Sequence, residues 1–499
     1  MHTVIAAHRG DSSLHRENTL TAIESAIDHG AAIIEVDIRE SKDGEIILLH
    51  DRGLERLWGN PADASTLTFN EISELGFGSV RIPTLKGALD LFMKADSAIM
   101  IDMESDKSAL AALAVVRSSG IAFDRVIWCG DLLAMRAIRE VADDARIWLP
   151  WNKPELVEAA LISEIKPEFI NSHYSFWNSE KVSAVHELGL KCSAWTIDDA
   201  PSMRWAKTIG IDSITTNQRP LLQTVLADSS DIDPLDITRA AEMSLSIAKW
   251  ALMICEMMNP GKVLTKTNPA DLVTEVDLFI ELHAREMILA NFPTHHIVGE
   301  EFGGELDLTR PTWYIDPVDG TTNFANHTPW SSFSLALAIG RDPMVAVTID
   351  PWRNKIFSAV KNQGAFINGL PMKIADDQES DTPLIGRVVL TELAGSRPWD
   401  GFGDFLEKLH ENFCTMRIMG AGTLTLTAVA ANYGVGAVVH HFNPIDHLAA
   451  ALIGQEAGCI VLNESGKVDL FPAAGGMLIV QPAARAALYK VWSDAITHS

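Results

Sequence analysis

The chain has 499 residues, 47% of them hydrophobic and 21% charged, a globular composition that excludes a largely disordered polypeptide and a length too great for one ordinary core. Lys and Arg number 40 against 66 Asp and Glu, a formal net charge of −26; so acidic a surface repels phosphate backbones and anionic membranes, and neither nucleic acid nor lipid is expected as a partner. Small anionic substrates stay open to it through a bound divalent cation. No apolar run is long enough for a membrane span and no signal-peptide pattern is seen. The cysteines at 129, 192, 255, 414 and 459 are scattered without a CxxC, as expected of reduced thiols in a cytoplasmic protein.

From residue 1 to about 225, short β-branched runs alternate with helical stretches. Strands are predicted at VIAAH, AAIIEVDI, EIILLHD, AIMIDM, DRVIWC, ARIWLP, EFINSH, KCSAWTI and GIDSITT, with helical patterns at 19–29, 85–94, 108–118 and 179–188. This alternation signals βαβ units and a parallel sheet, and the strand number and length favour a (β/α)8 TIM barrel. Residues 227–234 are small, acidic and polar, and Pro234 breaks any helix crossing them. The expected division is a barrel over 1–228, a linker over 229–235 and a second domain over 236–499. A long amphipathic helix is predicted over 235–258, ending near Asn259-Pro260-Gly261. Hairpin-like segments follow at WYIDPVDG, SFSLALAIG, VAVTID, KIFSAV and GAFING, then a helix over 423–432, the strand GAVVHHF and a helix over 446–457. Strand runs flanked by helices predict a layered α/β/α sandwich.

In the first half, chemistry-bearing residues gather at the carboxyl ends of predicted strands, where barrel active sites lie. His8-Arg9-Gly10 follows the first strand, Glu17-Asn18-Thr19 opens a helix, Glu35-Val36-Asp37 lies in an apolar strand and His50-Asp51 ends the next. Residues i and i+2 of a strand face one side, so Glu35 and Asp37 converge. Two carboxylates on one buried face call for a cation. His8 and His50 end neighbouring strands and can flank one point, one removing and the other donating a proton, as phosphodiester cleavage requires. Arg9 offers a fork for phosphate oxygens. Each piece alone is an ordinary polar residue; their conjunction among Ile33, Ile34, Val36 and Ile38 is not.

This half resembles the glycerophosphodiester phosphodiesterase family through AHRG, ENTLTAI, IEVDIRESKDGEIILLHD, IPTLKGAL, SAWTIDD and GIDSITTNQRP, over about residues 4 to 222. The resemblance implies a barrel, a divalent cation (Mg²⁺ or Ca²⁺) and cleavage of a glycerophosphodiester-like P–O bond. It makes His8 and His50 the acid–base pair and Arg9 a phosphate ligand. Glu35, Asp37 and Asp102 become metal ligands, and Trp195 of SAWTIDD a substrate contact. The chain departs from the family's usual Ile-Glu-Ile-Lys strand end at Asp102, a shortened third ligand, and at Glu104, which stands where a lysine is usual; Asn217 stands for an aspartate.

The second half carries denser carboxylates: 266–277 (KTNPADLVTEVD), Gly299-Glu300-Glu301, 313–324 (WYIDPVDGTTNF) and Asp446, with Glu456 ten residues on. Asp316 ends a strand, Pro317 turns the chain and Asp319 returns beside it. Gly320-Thr321-Thr322 then exposes backbone N–H groups and hydroxyls as a phosphate cradle. Such a nest of anions shares a site only around cations, commonly two about 4 Å apart. Water near Glu300 and Thr321 is the expected nucleophile. Asp-Pro, Asp-Gly and a helix-opening Asp are ordinary turn and cap residues singly; four acidic clusters in one short domain are not.

Over roughly 236–485 this half resembles the inositol monophosphatase superfamily, through DPVDGTTNF above all and through DLVTEVD, GEE, GAFING and the late PID…EAG. The resemblance implies a Mg²⁺-dependent, often lithium-sensitive phosphomonoesterase, commonly a homodimer, with two or more ions. Glu300, Asp316, Asp319, Asp446 and the carbonyl of Val318 would bind metal. Asp277 and Thr321 would position water. Gly320 and Thr322 would contact substrate. Pro444-Ile445-Asp446 departs from the usual Pro-Trp-Asp, and Val439 stands where inositol-specific members place a glutamate, which argues against inositol 1-phosphate as the preferred substrate. His440 and His441 adjoin it, and one ring of the pair is expected to pack inside.

The chain therefore reads as a bifunctional metal-dependent hydrolase of small phosphorylated substrates. The barrel cuts a small phosphodiester to a phosphomonoester, and the second domain removes the phosphate. Tethering the two raises the local concentration of the intermediate. The rival reading makes the barrel a degenerate binding or dimerisation module: Glu104 favours it, and intact His8, His50, Glu35 and Asp37 oppose it.

Overall fold

The computed structural model describes residues 3–78, 80–228, 230, 232–258, 261–265, 272–374, 382–393 and 397–497. The motif portion 266–271, the linker residues Ser229 and Asp231, and Asn259-Pro260 lie outside the described residues. The chain divides into two compact units, Met1–Ser230 and Asp231–Ser499.

In the first unit the strands are β1 (Val4–Ala7), β2 (Ile33–Glu40), β3 (Ile46–Leu48), β4 (Ala98–Met103), β5 (Val126–Gly130), β6 (Arg146–Pro150), β7 (Phe169–His173), β8 (Lys191–Trp195) and β9 (Ser213–Thr216). All but β3 run parallel in the order β1-β9-β8-β7-β6-β5-β4-β2, and β1 pairs with both β9 and β2, closing the barrel. Both faces of a barrel strand are covered, so its sequence is a near-continuous apolar run. Ala6, Ile33, Met100, Ile127, Cys129, Trp148 and Phe169 pack together from the ring. Helix starts are marked by hydroxyl caps: Thr19 accepts from Ala22 N, and Ser105 from Ser108 N. EIILLHD, expected among the barrel strands, instead forms β3, antiparallel to β2 with Ile38 opposite Leu48. The turn between β2 and β3 is too short for the crossover a parallel partner needs. His50 is therefore delivered by the return arm of a hairpin, and β2 separates it from β1 and His8.

In the second unit, helices Ile237–Met257 and Glu275–Asn291 precede and flank a short ribbon, β10 (Val263–Thr265) and β11 (Leu272–Thr274). A seven-stranded sheet follows in chain order: β12 (His296–Gly299), β13 (Pro311–Asp319), β14 (Ser332–Ile339), β15 (Asp342–Asp350), β16 (Lys355–Val360), β17 (Gly364–Ile367) and β18 (Leu370–Met372). Only its β12–β13 pair is parallel. A second sheet holds β19 (Val388–Thr391), β20 (Thr415–Ile418), β21 (Gly436–Val439), β22 (Ile460–Asn463) and β23 (Met477–Val480) in the order β20-β19-β21-β23-β22.

Helices Gly422–Ala430 and Pro444–Glu456 lie between the two sheets, against β13–β16 on one side and β19, β21 and β22 on the other. The first is buried at every position from Thr423 to Ala430, the second from His447 to Gly454. Helices buried on all sides along most of their length lie inside a core, and these two make the α/β/α sandwich a five-layered α/β/α/β/α stack. The outer helices Phe402–Glu411 and Arg485–Thr497 cover the far sheet, with Trp399, Phe405 and Trp492 buried between. Among the described residues no helix is long and apolar enough to cross a membrane, and the five cysteines are free thiols.

Candidate active sites

The barrel site is built on β1, β2, β4 and the loop after β3. Arg9 takes a left-handed backbone (φ 59°), and its N–H donates to Glu35 Oε2 at 2.9 Å. The next residue must be glycine: a Cβ on Gly10 (φ 81°) would stand 2.7 Å from the Ala22 backbone. Backbone strain of this kind persists where surrounding contacts over-determine it, commonly at functional sites. The Arg9 guanidinium lies 3.0 Å from Asp37 Oδ2 and 2.9 Å from Glu17 Oε1. Asn18 Nδ2 also donates to Asp37 Oδ2, at 2.7 Å. Asp37 stands opposite Asp102 in the parallel β2–β4 register. Burial, then the charges of Asp37 and Asp102, push the Glu35 carboxyl well above its usual range. Burial, then Asp37, pushes Asp102 up to about 7. A donor set of three crowded carboxylates whose charged forms disfavour one another fits a divalent cation.

His8 Nδ1 lies 2.8 Å from Asn217 Oδ1. Asn217 Nδ2 donates to Asp198 Oδ2 at 2.6 Å; a carboxylate only accepts, so the amide oxygen must face His8 and Nδ1 must carry the proton. Burial, then the neighbouring Arg9 charge, lowers the His8 pKa, so the ring is neutral near pH 7 with Nε2 free to accept. His50 Nδ1 meets Asp51 Oδ1 at 2.7 Å. The Arg56 hydrogen bond, then His50, lowers Asp51 to about 2. His8, His50, Arg9, Glu35, Asp37, Asp102 and Trp195 all line one cavity of about 180 Å³. Glu104 lines it too, its carboxylate paired with the Arg39 guanidinium. Asp198, which fixes the amide behind His8, was missed in sequence; its signal was its place beside Asp199 in SAWTIDD.

The second site gathers on β13 and two helix starts. Along a regular strand, residues i and i+3 face opposite sides. The β13–β14 register shifts between Asp316 and Asp319, the segment that holds Pro317, and such an extra residue turns both carboxylates to one side. Val318 N donates to Asp316 Oδ1 at 3.1 Å, and Thr321 Oγ1 donates to the Val318 carbonyl at 2.9 Å. Asp277 closes a capping box with Thr274 and sits 3.2 Å from the Thr321 hydroxyl. Asp319 Oδ2 accepts from Thr423 N at 2.6 Å, and Asn443 Nδ2 donates to both Asp446 oxygens at 3.1 Å. Burial, then the charges of Glu300, Asp319 and Asp446, push Asp316 well above its ordinary value. Burial takes Asp319 up to about 7 and Asp277 to about 6, in both cases with help from the Glu300 charge. Asp316 thus feels the charges of Glu300, Asp319 and Asp446 together, and again the donor chemistry fits cations. Gly320 (φ 81°) admits no side chain, since a Cβ would stand 2.8 Å from the Gly420 carbonyl. Thr322 is exposed.

Beside Asp446 opens a cavity of about 400 Å³, lined by Glu392, Val439, His440, His441 and His447 among others. His440 stacks on Trp399 with ring centroids 5.6 Å apart, and His441 is exposed. Two carboxylates of this unit, Glu392 in the wall of that cavity and Glu281 under the loop after β12, are absent from the sequence-level candidates. Glu392 accepts from Gly420 N at 2.8 Å and from the Thr425 hydroxyl. Glu281, fully buried, accepts from Glu301 N at 2.7 Å, Phe302 N at 3.2 Å and Arg285 Nε at 2.8 Å. It lies one helical turn after Asp277, a spacing that signals a shared face.

The model of the inositol monophosphatase family matches residues 234–496, and that of the glycerophosphoryl diester phosphodiesterase family matches residues 8–219. The chain is 34% identical to inositol monophosphatase 1 of Solanum lycopersicum over 204 residues, 39% of this chain and 73% of that protein. Among solved structures it is similar to the Thermotoga maritima IMPase, with a TM-score of 0.45 and 27% identity over 54% of this chain and 99% of the other. It is also similar to an Oleispira antarctica phosphodiesterase in complex with the product sn-glycerol-3-phosphate, with a TM-score of 0.43 and 19% identity over 45% of this chain and 97% of the other. The chain belongs to the inositol monophosphatase family through its second unit, and it carries a glycerophosphoryl diester phosphodiesterase family domain, a second hydrolase, ahead of it.

Proposed function

We propose that the two units act in sequence: the barrel cleaves a small phosphodiester to a phosphomonoester, and the second unit hydrolyses that product to an alcohol or sugar and inorganic phosphate. The observation that carries the reading is that His8, His50 and three carboxylates line one cavity. His8, neutral with Nε2 unprotonated, takes the proton from the attacking hydroxyl; His50, held by Asp51, gives a proton to the departing alkoxide, each transfer typically worth ~10²–10⁴-fold. Arg9 binds the phosphate, and a divalent cation held by Glu35, Asp37 and Asp102 would neutralise its charge. Glu104 counts less for a degenerate barrel than its sequence position suggests, since Arg39 neutralises it.

In the second unit Glu300, Asp316, Asp319, Asp446 and the Val318 carbonyl would hold two or more Mg²⁺ ions, which lower the pKa of bound water and stabilise charge on the phosphoryl oxygens. Thr321, hydrogen-bonded to Val318 O and close to Asp277, orients the attacking water together with Glu300. Gly320 lets the backbone approach the phosphate. The assembly is a homodimer through this unit. The domain limits are 1–228 and 236–499.

The test separates the two steps. His8→Ala should stop phosphate release from a diester and leave monoester hydrolysis intact. Asp319→Asn should do the reverse, with the monoester accumulating. Mixing the two variants should restore phosphate release, because the intermediate diffuses. Wild-type phosphate release from every cleavable diester by His8→Ala would refute the barrel's part.

A further inference from the structure

A second chamber of about 300 Å³ opens beside the catalytic cavity of the barrel and shares Ile38, Arg39 and Glu104 with it. Arg39 follows Glu35 and Asp37 on the same face of β2, one step further toward the mouth. Its Nε donates to the His50 carbonyl at 2.9 Å and its guanidinium pairs with Glu104. Arg52 Nε stands 4.0 Å from the same carboxylate, and Asp63 also lines the chamber. Asp63 feels both arginines: after its hydrogen bonds to Ser65, their charges help to lower its pKa. The remaining polar wall includes Ser105.

The lining decides what can sit there. Among the described residues it contains no aromatic ring, and a quaternary ammonium is recognised by aromatic faces. Ile38 and Ala64 are its only apolar side chains among the described residues, too little surface to hold an acyl chain. What it offers is the guanidinium donors of Arg39 and Arg52 together with the carboxylate acceptors of Glu40, Asp63 and Glu104. A hydroxyl is both donor and acceptor, so a ring of hydroxyls meets partners of both kinds in such a wall. The volume is at the small end of ligand pockets.

We infer that the second alcohol of the diester occupies this chamber, that it is a polyol, and that Arg39, Glu104 and Arg52 select it by hydrogen-bonding its hydroxyls. This rests on the phosphodiesterase reading above. Glu104 then has a positive use: where a lysine would face the phosphate, this chain turns a carboxylate toward the alcohol, and Arg39 holds it in place.

The test is alcohol release by the full-length protein from three probes: glycerophosphoinositol, glycerophosphocholine and bis(4-nitrophenyl) phosphate. The wild type should favour glycerophosphoinositol over glycerophosphocholine by at least about tenfold in kcat/KM, since a site built to bond hydroxyls rejects an alcohol lacking them. Glu104→Gln and Arg52→Ala should each reduce that ratio several-fold; a ratio is insensitive to partial loss of folded enzyme. Cleavage of the probes with a ratio near one, a preference for choline, or a ratio unmoved in both variants overturns the inference and leaves the phosphodiesterase reading standing. Cleavage of none of the three by the wild type, across a panel of divalent cations, removes both.

Discussion

The buried Glu281 carboxylate tests whether the phosphatase site is set by its support as much as by its ligands. Glu281 is fully buried and ties helix Glu275–Asn291 to the loop that carries Glu300. It accepts the N–H groups of Glu301 and Phe302, while Arg285 holds its other side and reaches the Gly303 carbonyl. Gly299 leaves it room; a Cβ there would overlap Glu281 Oε1 at 2.0 Å. Glu281→Gln keeps the shape, removes the charge and turns an N–H₂ group toward backbone N–H donors. Hydrogen bonds to a charged group are worth about 1.5–3 kcal/mol each, and leaving buried donors unmet adds to the loss, so a cost of about 3 kcal/mol is expected. In a unit of this size that lowers the melting temperature by about 5 °C. If the loop's task is to aim Glu300, Mg²⁺ affinity should fall by about 10–100-fold, as when the partner behind a metal ligand is removed. Gly299→Ala should reproduce both effects by displacing the same carboxylate. The assay is a calorimetric Mg²⁺ titration beside a melt in chelator. A titration superimposable on wild type, with only the melt lowered, would show that Glu281 holds the fold and not the metal ligand.

Two further outcomes follow from particular side chains. Val439, buried in the wall of the cavity beside Asp446, offers substrate hydroxyls no acceptor, so kcat/KM for inositol 1-phosphate should lie below those for glycerol and pentose phosphates; the reverse order in a phosphate-release assay would refute this. His283 is 3% exposed and stacks on Trp250 with centroids 3.8 Å apart, and burial lowers its pKa from 6.5 to about 3. The unfolded chain therefore takes up the proton first, and the stability His283 contributes above pH 6.5 is lost as pH falls toward 3. Between pH 7 and pH 5 the loss is about 2 kcal/mol. His283→Phe, which keeps the stack, should flatten that part of the melting temperature–pH curve, and curves that fall in parallel would contradict the assignment.

How legible the molecule was in sequence followed the range of the interactions involved. Strands buried on both faces announce themselves as apolar runs, so the nine strand segments among the described residues of the first unit are legible in sequence. The hairpin standing of EIILLHD was not read, because strand direction is set by the length of the turn before it. VVLT and MLIV of the second sheet passed unread for a different reason: four residues carry too little periodicity to mark a strand. Helices Gly422–Ala430 and Pro444–Glu456 are legible as helices, but their burial between two sheets is not, since threonines in the first and Asp446, His447 and Glu456 in the second interrupt the all-apolar pattern that would signal it. Asp316 and Asp319 stood out through Asp-Pro-x-Asp-Gly. The bulge that turns them to one side depends on pairing with β14 and is written in no single segment.

Two departures of the barrel from its family, Glu104 and Asn217, show the same dependence on neighbours from other elements. Taken alone, each removes a charge that the chemistry wants: a cation from the phosphate, an anion from behind His8. In the folded chain each has acquired a neighbour from another element. Glu104 on the loop after β4 is met by Arg39 of β2. Asn217 is held through its N–H and its amide by Asp198, from the loop after β8. The consequences differ. A carboxylate directly on His8 would stabilise the imidazolium and hold its proton; an amide interposed before Asp198 keeps the orientation without that stabilisation, and His8 stays an acceptor at neutral pH. The Arg39–Glu104 pair, by contrast, leaves a salt bridge at the mouth whose donors and acceptors face a second chamber. On the proposed mechanism, one substitution adjusts the base and the other the wall facing the alcohol, and neither then favours a degenerate barrel.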